Sequence, residues 1–273
     1  MKNFNKSILT LLSVIILFTT VLSGNSYAGS NQDQEIKYSP EEVAEFAKAV
    51  EKFAAKQGAR AFIISRVGRP IEDLPKGIKY THTAIAVYSE IALANNEIAY
   101  GYAIHNLYQT NEDKSKSILV TDYPVDFFWG AHELKAGITI PSQELQTKII
   151  ELIAKGDNKV LHNSAYSVLA NPFNDSFQNC TEHTLDIINA AIYNTTDTAQ
   201  LKANAAAYFQ PQPVHTSRFK LLVGSALMQD VTLKDHDRKV KTTTFTSITR
   251  YLEKYDLLQS AVEFNQDFET TNI

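Results

Sequence analysis

Two apolar runs, YTHTAIAVYSEI at residues 80–91 and EIAYGYAIHNLY at residues 97–108, decide how this chain folds. Both are rich in β-branched and aromatic residues and are apolar at odd and even positions, which is typical of central strands covered on both faces. Two asparagines at residues 95–96 favour a turn between them. The two runs therefore predict an antiparallel hairpin at the centre of a sheet.

Outward from this hairpin, helix signals alternate with shorter strand signals. Ser39 and Pro40 supply a cap and a first-turn proline, and acidic residues follow at 41–42, so a helix is expected up to Gly58. The other predicted elements are strands at 60–67 and 117–121, helices at 141–155, 180–193 and 197–208, a β-rich run at 240–248 and a closing helix at 247–258. Residues 123–140 resist assignment. This order predicts an α+β fold, with a central antiparallel sheet and packed helices.

The N-terminus has the three-part pattern of a secretory signal. Two lysines precede an apolar run over residues 8–22, and small residues occupy the −3 and −1 positions of a cut after Ala28. The run is 15 residues long, which is short of the ~20 that a membrane-spanning helix needs. We expect a periplasmic or secreted protein composed of a signal peptide at 1–28, a flexible polar segment at 29–38 and a single domain at 39–273.

Charge and composition exclude several classes of partner. The chain has 26 Lys and Arg against 30 Asp and Glu, and loss of Lys2 and Lys6 with the signal would take the net charge from −4 to −6. A mildly acidic protein without a basic stripe is a poor candidate for nucleic acid or for an anionic membrane surface. No later segment is apolar enough for stable membrane insertion after cleavage, and 44% hydrophobic residues suffice for a core.

Cys180 is the only cysteine, so the chain cannot form an internal disulfide. It stands at the predicted start of a helix, where its sulfur would meet unpaired backbone N–H groups and the positive end of the helix dipole. Both favour the thiolate, the nucleophilic form. The backbone N–H of Cys180 could also donate to the oxyanion that forms when a thiolate attacks a carbonyl.

A reactive thiolate needs an imidazole beside it, and His82 opens the first strand of the hairpin at the sheet rim. If the hairpin turns around residues 94–95, His105 pairs with Ala84 and lies diagonally beside His82, where it could orient the ring. A turn centred at residues 95–96 moves His105 two residues further away. The sequence leaves both registers open.

Other histidines offer alternatives. His183 lies one turn after Cys180 and is a rival partner for the sulfur. The run Asp235-His236-Asp237 resembles a set of metal ligands, but adjacent residues in a strand point to opposite faces. His132-Glu133 lacks the second histidine of a zinc helix. We expect neither a metal nor a cofactor.

The order of these residues carries a resemblance. A histidine opens a strand, a polar residue lies in the next strand, and only then does Asn179-Cys180 open a helix, followed by Glu182-His183. This order resembles the circularly permuted, lecithin:retinol acyltransferase-like branch of the NlpC-type papain-like thiol hydrolases. More closely, the chain resembles an uncharacterised family of exported bacterial proteins, domain of unknown function 2145. The stretches similar to that family are 65–68, 103–105, 126–128, 171–180 and 235–236.

The resemblance implies a permuted papain-like domain with Cys180 as the nucleophile, His82 as the general base and His105 as the third member. Cys180 and His82 would form a thiolate–imidazolium pair. Tyr80 and Asn106 would line the substrate site.

The implied function is that of an exported thiol hydrolase or acyltransferase acting on an amide, ester or thioester. A small molecule, a cell-wall peptide or a lipid of the cell envelope would be the substrate. The alternative is a non-catalytic periplasmic binding or envelope-assembly protein on the same scaffold. A third class, a metal-binding protein, depends on the Asp235-His236-Asp237 run.

Overall fold

The computed structural model describes residues 36–93, 97–215, 230–237 and 239–273. The predicted signal peptide and the turn at residues 95–96 lie outside these ranges. The helices are α1 (Pro40–Lys56), α2 (Pro124–Trp129), α3 (Gln143–Lys155), α4 (Asp157–Val160), α5 (Cys180–Tyr193), α6 (Thr198–Tyr208) and α7 (Phe245–Lys254). The strands are β1 (Ala61–Val67), β2 (His82–Ala92), β3 (Ile98–Gln109), β4 (Ser117–Asp122), β5 (Glu133–Pro141), β6 (Gln212–Pro213), β7 (Lys241–Thr242), β8 (Leu258–Phe264) and β9 (Thr270–Asn272).

Seven strands form one antiparallel sheet in the order β4-β3-β2-β1-β5-β8-β9. β1 and β2 lie at its centre, and the burial of β1 is complete along its length. The mixed α and β composition and the central antiparallel sheet confirm the predicted α+β class.

Helices cover both faces of the sheet. On one face α3, α5 and α7 pack against strand residues such as Ile63, Ile85 and Val87. On the other, α1 and α2 pack against residues of opposite parity such as Ile64 and Ala84. We call these the α5 face and the α1 face. Because both faces are covered, β1 and the first half of β2 are apolar at odd and even positions.

Local signals explain where the two best-predicted helices begin. Ser39 and Glu42 form a reciprocal capping box at the start of α1, as the sequence predicts. Asn179 caps α5 by accepting a hydrogen bond from the Glu182 N–H at 2.9 Å, so Cys180 is the first residue of the helix.

The observed hairpin register differs from the register that would place His105 beside His82. Ile85, rather than Ala84, pairs with His105. A shift of one residue moves a side chain to the other face of the sheet. His105 therefore lies on the α5 face, away from His82, and the expectation that it pairs with Ala84 is wrong.

Two regions of the chain are organised differently from the sequence prediction. Residues 123–140, left unassigned, contain α2 and most of β5. The β-rich run at 240–248 supplies only the two-residue β7, and its aromatic end instead opens α7 at Phe245, capped by Thr244. Residues 258–264 form β8, which pairs antiparallel with β5. Across the described ranges, no helix combines the length and apolarity required to cross a membrane.

A close contact at Gly137 gives a test of this packing. A Cβ added at Gly137 would lie 2.7 Å from Phe245 and 2.9 Å from Tyr80, so we expect Gly137→Ala to lower the free energy of unfolding by about 1–3 kcal/mol through overpacking. Gly101→Ala is the matched strand control, because its new Cβ would meet only the flexible ends of Ile91 and Glu51 side chains. Urea unfolding of both variants measures the difference. Equal losses would show that α7 does not pack on β5 as described.

Candidate functional site

A buried polar network lies on the α1 face, where β2 begins and β3 ends. The His82 ring is 1% exposed, and its Nε2 lies 2.8 Å from the Asn106 Oδ1. The Asn106 Nδ2 donates to the Ile104 carbonyl at 3.1 Å and to the Asp122 Oδ2 at 3.2 Å. The hydroxyl of Tyr108 donates to the same Asp122 oxygen at 2.6 Å. Three neighbouring strands thus place their polar side chains in one chain of hydrogen bonds.

This network fixes the tautomer of His82. Both partners of the Asn106 Nδ2 are acceptors, so the amide oxygen must be the atom that faces His82. An amide oxygen can only accept, and Nε2 therefore carries the ring proton. Nδ1 is left unprotonated, and it is buried without a hydrogen-bond partner among the described residues. An unprotonated ring nitrogen is what a general base requires.

Aromatic rings and a buried arginine enclose the imidazole. Tyr108 stacks on His82 with centroids 4.8 Å apart, and Phe127 lies at 5.4 Å. Arg66, 1% exposed, donates to the Phe127 carbonyl and sits over the Phe127 ring. Burial, and after it the charge of Arg66, holds the pKa of His82 well below its usual value. This lowered pKa favours the neutral form of the His82 imidazole.

Cys180 lies at the same end of the sheet. It is 5% exposed and packs with Leu107 of β3 and with Tyr166, in a cluster that Leu119 and Val168 border. Its negative form also interacts with the network beyond β3. Burial lowers the pKa of Arg66, and the charges of Tyr108, Asp122 and Cys180 act in the opposite direction. Arg66 is thus within electrostatic reach of both His82 and Cys180.

The sulfur and the imidazole approach β3 from opposite sides. Cys180 contacts Leu107, whereas His82 stacks on the next residue, Tyr108. Successive strand residues point to opposite faces, so Cys180 lies on the α5 face and His82 on the α1 face. Among the described residues, Nδ1 of His82 has no hydrogen-bond partner. The structure thus brings both residues to one end of the sheet, on opposite sides of β3.

The start of α5 is held by a second buried network, of charged groups. Lys202 of α6 donates to the Glu182 Oε1 at 2.6 Å and to both Asp186 oxygens at 2.9 Å. Gln178 also donates to Asp186, at 2.8 Å. Burial raises the pKa of Glu182 to about 8, although the charge of Lys202 acts against this. The two carboxylates thus share one ammonium, and burial favours the protonated form of Glu182.

His183 lies on the same helix as Cys180, one turn further along α5. It is 2% exposed, its ring lies 6.1 Å from that of His162, and its Nδ1 has no hydrogen-bond partner among the described residues. Burial, followed by the charge of His162, lowers the pKa of His183 to about 3, and a hydrogen bond with the Leu161 backbone acts in the opposite direction. His183 is therefore a second neutral imidazole, on the same helix as the sulfur.

Two predicted site residues lie elsewhere. His105 faces α5, where its charge lowers the pKa of His183, and Asn106 occupies the position beside His82 that His105 was expected to take. Tyr80 donates to Glu263 at 2.9 Å and packs on Phe245, on the α5 face. Asn106 itself is 1% exposed, so it supports His82 rather than lining an open site.

The Asp235-His236 run fastens two loops together. The Asp235 Oδ2 accepts from the Asn171 backbone N–H at 2.8 Å, and the Asn171 side chain donates to the Asp235 carbonyl at 2.7 Å. The His236 Nε2 donates to the Leu169 carbonyl at 2.7 Å. Within residues 36–93, 97–215, 230–237 and 239–273, no group of three or more His, Cys, Asp or Glu is placed to hold a metal ion.

A family model described as an uncharacterized protein conserved in bacteria, DUF2145, matches residues 53–252. This chain belongs to the DUF2145 family. The matched range covers β1 to most of α7 and contains His82, Asn106, Asp122 and Cys180. No curated protein and no solved structure matches the chain.

Sequence reasoning missed three members of the networks in this DUF2145 protein. Asp122 was placed just beyond a short strand, Tyr108 was counted only as a strand residue, and Lys202 lay unremarked in the α6 prediction. For Asp122 a signal existed, because an acidic residue at the end of a strand bordering a buried one needs a partner. For Lys202 there was none, since its partners are 16 and 20 residues away along the chain.

The neutral histidines predict loss of stability in acid. The pKa of His183 is lower in the folded chain than in the unfolded chain, so the stability linked to it is complete above about pH 6.5 and is lost as the pH falls toward about 3. Replacing His183 with Gln keeps a donor for the Leu161 carbonyl and removes this titration. Between pH 6 and 4, we expect the pH slope of the unfolding free energy to decrease by about 1.4 kcal/mol per pH unit.

Urea unfolding of wild type and His183→Gln at several pH values measures this slope. His132→Gln, at a partly exposed position, is the control and should keep the wild-type slope. Parallel curves for all three proteins would show that His183 is not held neutral.

Proposed function

We propose that this DUF2145 protein is an exported thiol hydrolase or acyltransferase, with Cys180 as the nucleophile and His82 as the general base, on a permuted papain-like scaffold. The observation that carries the proposal is the state of His82. Its Nε2 proton is committed to Asn106, while Nδ1 is unprotonated and has no hydrogen-bond partner in the part of the chain that the structure describes. A structural histidine in a covered sheet more commonly has both ring nitrogens hydrogen-bonded, because an unsatisfied buried polar atom costs about 1–3 kcal/mol.

The order along the chain supports the same proposal. His82, its amide partner Asn106 and the helix-opening Cys180 follow one another as in the permuted hydrolases that the sequence resembles. The amide at Asn106 takes the third role that the resemblance implied for His105. Arg66 favours a negative charge on Cys180, because the two groups interact in the buried interior.

The proposed reaction proceeds through an acyl-enzyme. Nδ1 of His82 takes the Cys180 proton, and the sulfur forms a bond to the carbonyl carbon of an amide, ester or thioester. N–H groups in the first turn of α5 donate to the resulting oxyanion. The bond to the leaving group then breaks as the imidazolium gives it the proton. Water or a second acceptor attacks the thioester, His82 takes its proton, and this proton returns to sulfur.

This chemistry requires movement. Cys180 and His82 lie on opposite faces of β3 around residues 107 and 108. In the proposed reaction the start of α5 shifts toward the strand ends so that Nδ1 reaches the sulfur, and the free protein already samples this open form. The proposed substrate, a cell-wall peptide or a lipid ester, would drive this shift by binding the open form.

A second candidate function is a non-catalytic binding or envelope-assembly protein. The observation that favours it is the burial of Cys180 against Leu107 and Tyr166, with only 5% of the residue exposed. A small buried thiol in such a cluster behaves as an apolar side chain. The two candidates differ in whether the reactivity of Cys180 depends on His82.

The decisive measurement is the rate at which iodoacetamide alkylates Cys180, followed by mass spectrometry and divided by the rate in urea. We expect His82→Ala to slow alkylation about 10–100-fold at neutral pH, because the thiol loses its base. His183→Ala is the matched control, since it removes the imidazole on the same helix as Cys180. The rate of p-nitrophenyl acetate hydrolysis, measured with Cys180→Ser as the blank, should likewise fall in His82→Ala and not in His183→Ala.

Three outcomes would contradict the proposal in different ways. If only His183→Ala slows the reaction, the base is His183 and the role of His82 is wrong. If neither variant changes the rate and no ester is hydrolysed, the non-catalytic candidate is supported. If alkylation is equally slow in all proteins but Cys180→Ser still hydrolyses the ester, Cys180 is not the nucleophile.

Export is tested separately. The proposal expects cleavage after Ala28, because small residues stand at the −3 and −1 positions. Expression of the full chain in a bacterium, followed by N-terminal sequencing, should give Gly29 as the first residue, and Ala28→Leu should leave the precursor uncut. A mature protein that still begins at Met1 would rule out this signal.

A further inference from the structure

We propose that Asp122 is a positioning residue whose one carboxylate oxygen sets the tautomer of His82. The catalytic meaning of this inference rests on the function proposed above, but the inference itself concerns a measurable proton position. Asp122 acts through Asn106 and Tyr108, to which it is hydrogen-bonded and which both contact His82.

The first route runs through the amide of Asn106. The Asp122 Oδ2 accepts from the Asn106 Nδ2 at 3.2 Å, and this bond turns the Asn106 oxygen toward His82. If the amide rotated by half a turn, an NH₂ group would face the ring, and Nε2 would have to accept rather than donate. The proton would then move to Nδ1, and the atom proposed as the base would be occupied.

The second route runs through Tyr108. The same Asp122 oxygen accepts from the Tyr108 hydroxyl at 2.6 Å. The Tyr108 ring lies almost parallel to the His82 imidazole, at an interplanar angle of 17°. A ring held on its face and at one nitrogen cannot rotate freely about its side-chain bonds. Asp122 therefore restrains the orientation of the imidazole as well as its proton.

The location of Asp122 makes this arrangement specific. It is the last residue of β4, it is 6% exposed, and its backbone pairs with Ile104 on β3. Both routes therefore start from the edge strand of the sheet and reach β2 across β3. The Ile104 carbonyl also accepts from Asn106, so it supplies part of the restraint on the amide, and Asp122 supplies the part that is shared with Tyr108.

The test reads the tautomer directly. In ¹⁵N-labelled protein, long-range ¹H–¹⁵N spectra distinguish a protonated from an unprotonated ring nitrogen, and His82→Gln identifies the His82 signals by their disappearance. We expect wild type to hold the proton on Nε2 alone. Asp122→Leu should give a mixture of tautomers and should slow alkylation of Cys180 at least about tenfold.

Asp122→Asn is the rescue variant. Its side-chain oxygen can accept from both Asn106 and Tyr108, so it should keep the Nε2 tautomer and most of the reactivity. Tyr108→Phe separates the two routes, because it removes the hydroxyl and keeps the ring. If Asp122→Leu does not fold, Asp122→Ala makes no steric demand and carries the same expectation.

Two results would overturn the inference. One is a pure Nε2 tautomer in the folded Leu or Ala variant, since Asp122 would then be dispensable. The other is a tautomer change in Asp122→Asn as large as in Asp122→Leu, because charge rather than acceptor geometry would be responsible. Failure of the proposed function looks different. The tautomer would still depend on Asp122, while Cys180 reactivity would not depend on His82.

Discussion

The hydrogen bond between His82 and Asn106 is the contact on which this end of the molecule depends. The start of β2 and the end of β3 are buried, so a polar side chain there has little water to satisfy it. Each buried polar group left without a partner costs about 1–3 kcal/mol. A hairpin shifted by one residue would send Asn106 to the α5 face and remove the amide acceptor that Nε2 of His82 now has. The network and the strand register therefore stabilise each other.

The charged network around Lys202 holds the start of α5, the helix that Cys180 opens. Lys202 binds Glu182 and Asp186, and Gln178 joins the loop before the helix to the same group. Removing one partner from such a buried set costs several kcal/mol, because an uncompensated charge remains. The first turn of α5 is thus anchored to α6 as well as packed against β3 through Cys180 and Leu107. A shift that brings Cys180 toward the strand ends keeps these ion pairs only if α6 moves with α5.

The residues that could be predicted from the sequence are those whose signals are local. The cap of α1, the start of α5 at Cys180 and the strands of the hairpin follow from residues within one or two turns of each other. The role of Asn106 could not be predicted, because a change of one residue in the pairing of β2 with β3 exchanges Asn106 with His105. Residues 124–129 form a helix although their aromatic composition favours a strand. Phe127 and Phe128 are both fully buried on the α1 face, and this tertiary contact decides the outcome.

Arg66 determines which charges the site can hold. Burial, and after it the Arg66 guanidinium, lowers the pKa of His82. Burial also lowers the pKa of Arg66 itself, and a negative Cys180 acts in the opposite direction. One fixed cation thus disfavours the imidazolium and favours the thiolate. In an ion pair between Cys180 and His82, Arg66 would stabilise the negative charge on the sulfur and destabilise the positive charge on the ring. In the function proposed above, proton transfer then belongs to the step in which a carbonyl arrives and the sulfur bonds to it. Under that proposal the imidazole already carries its proton on Nε2, so only the sulfur, on a residue that is 5% exposed, has to be uncovered.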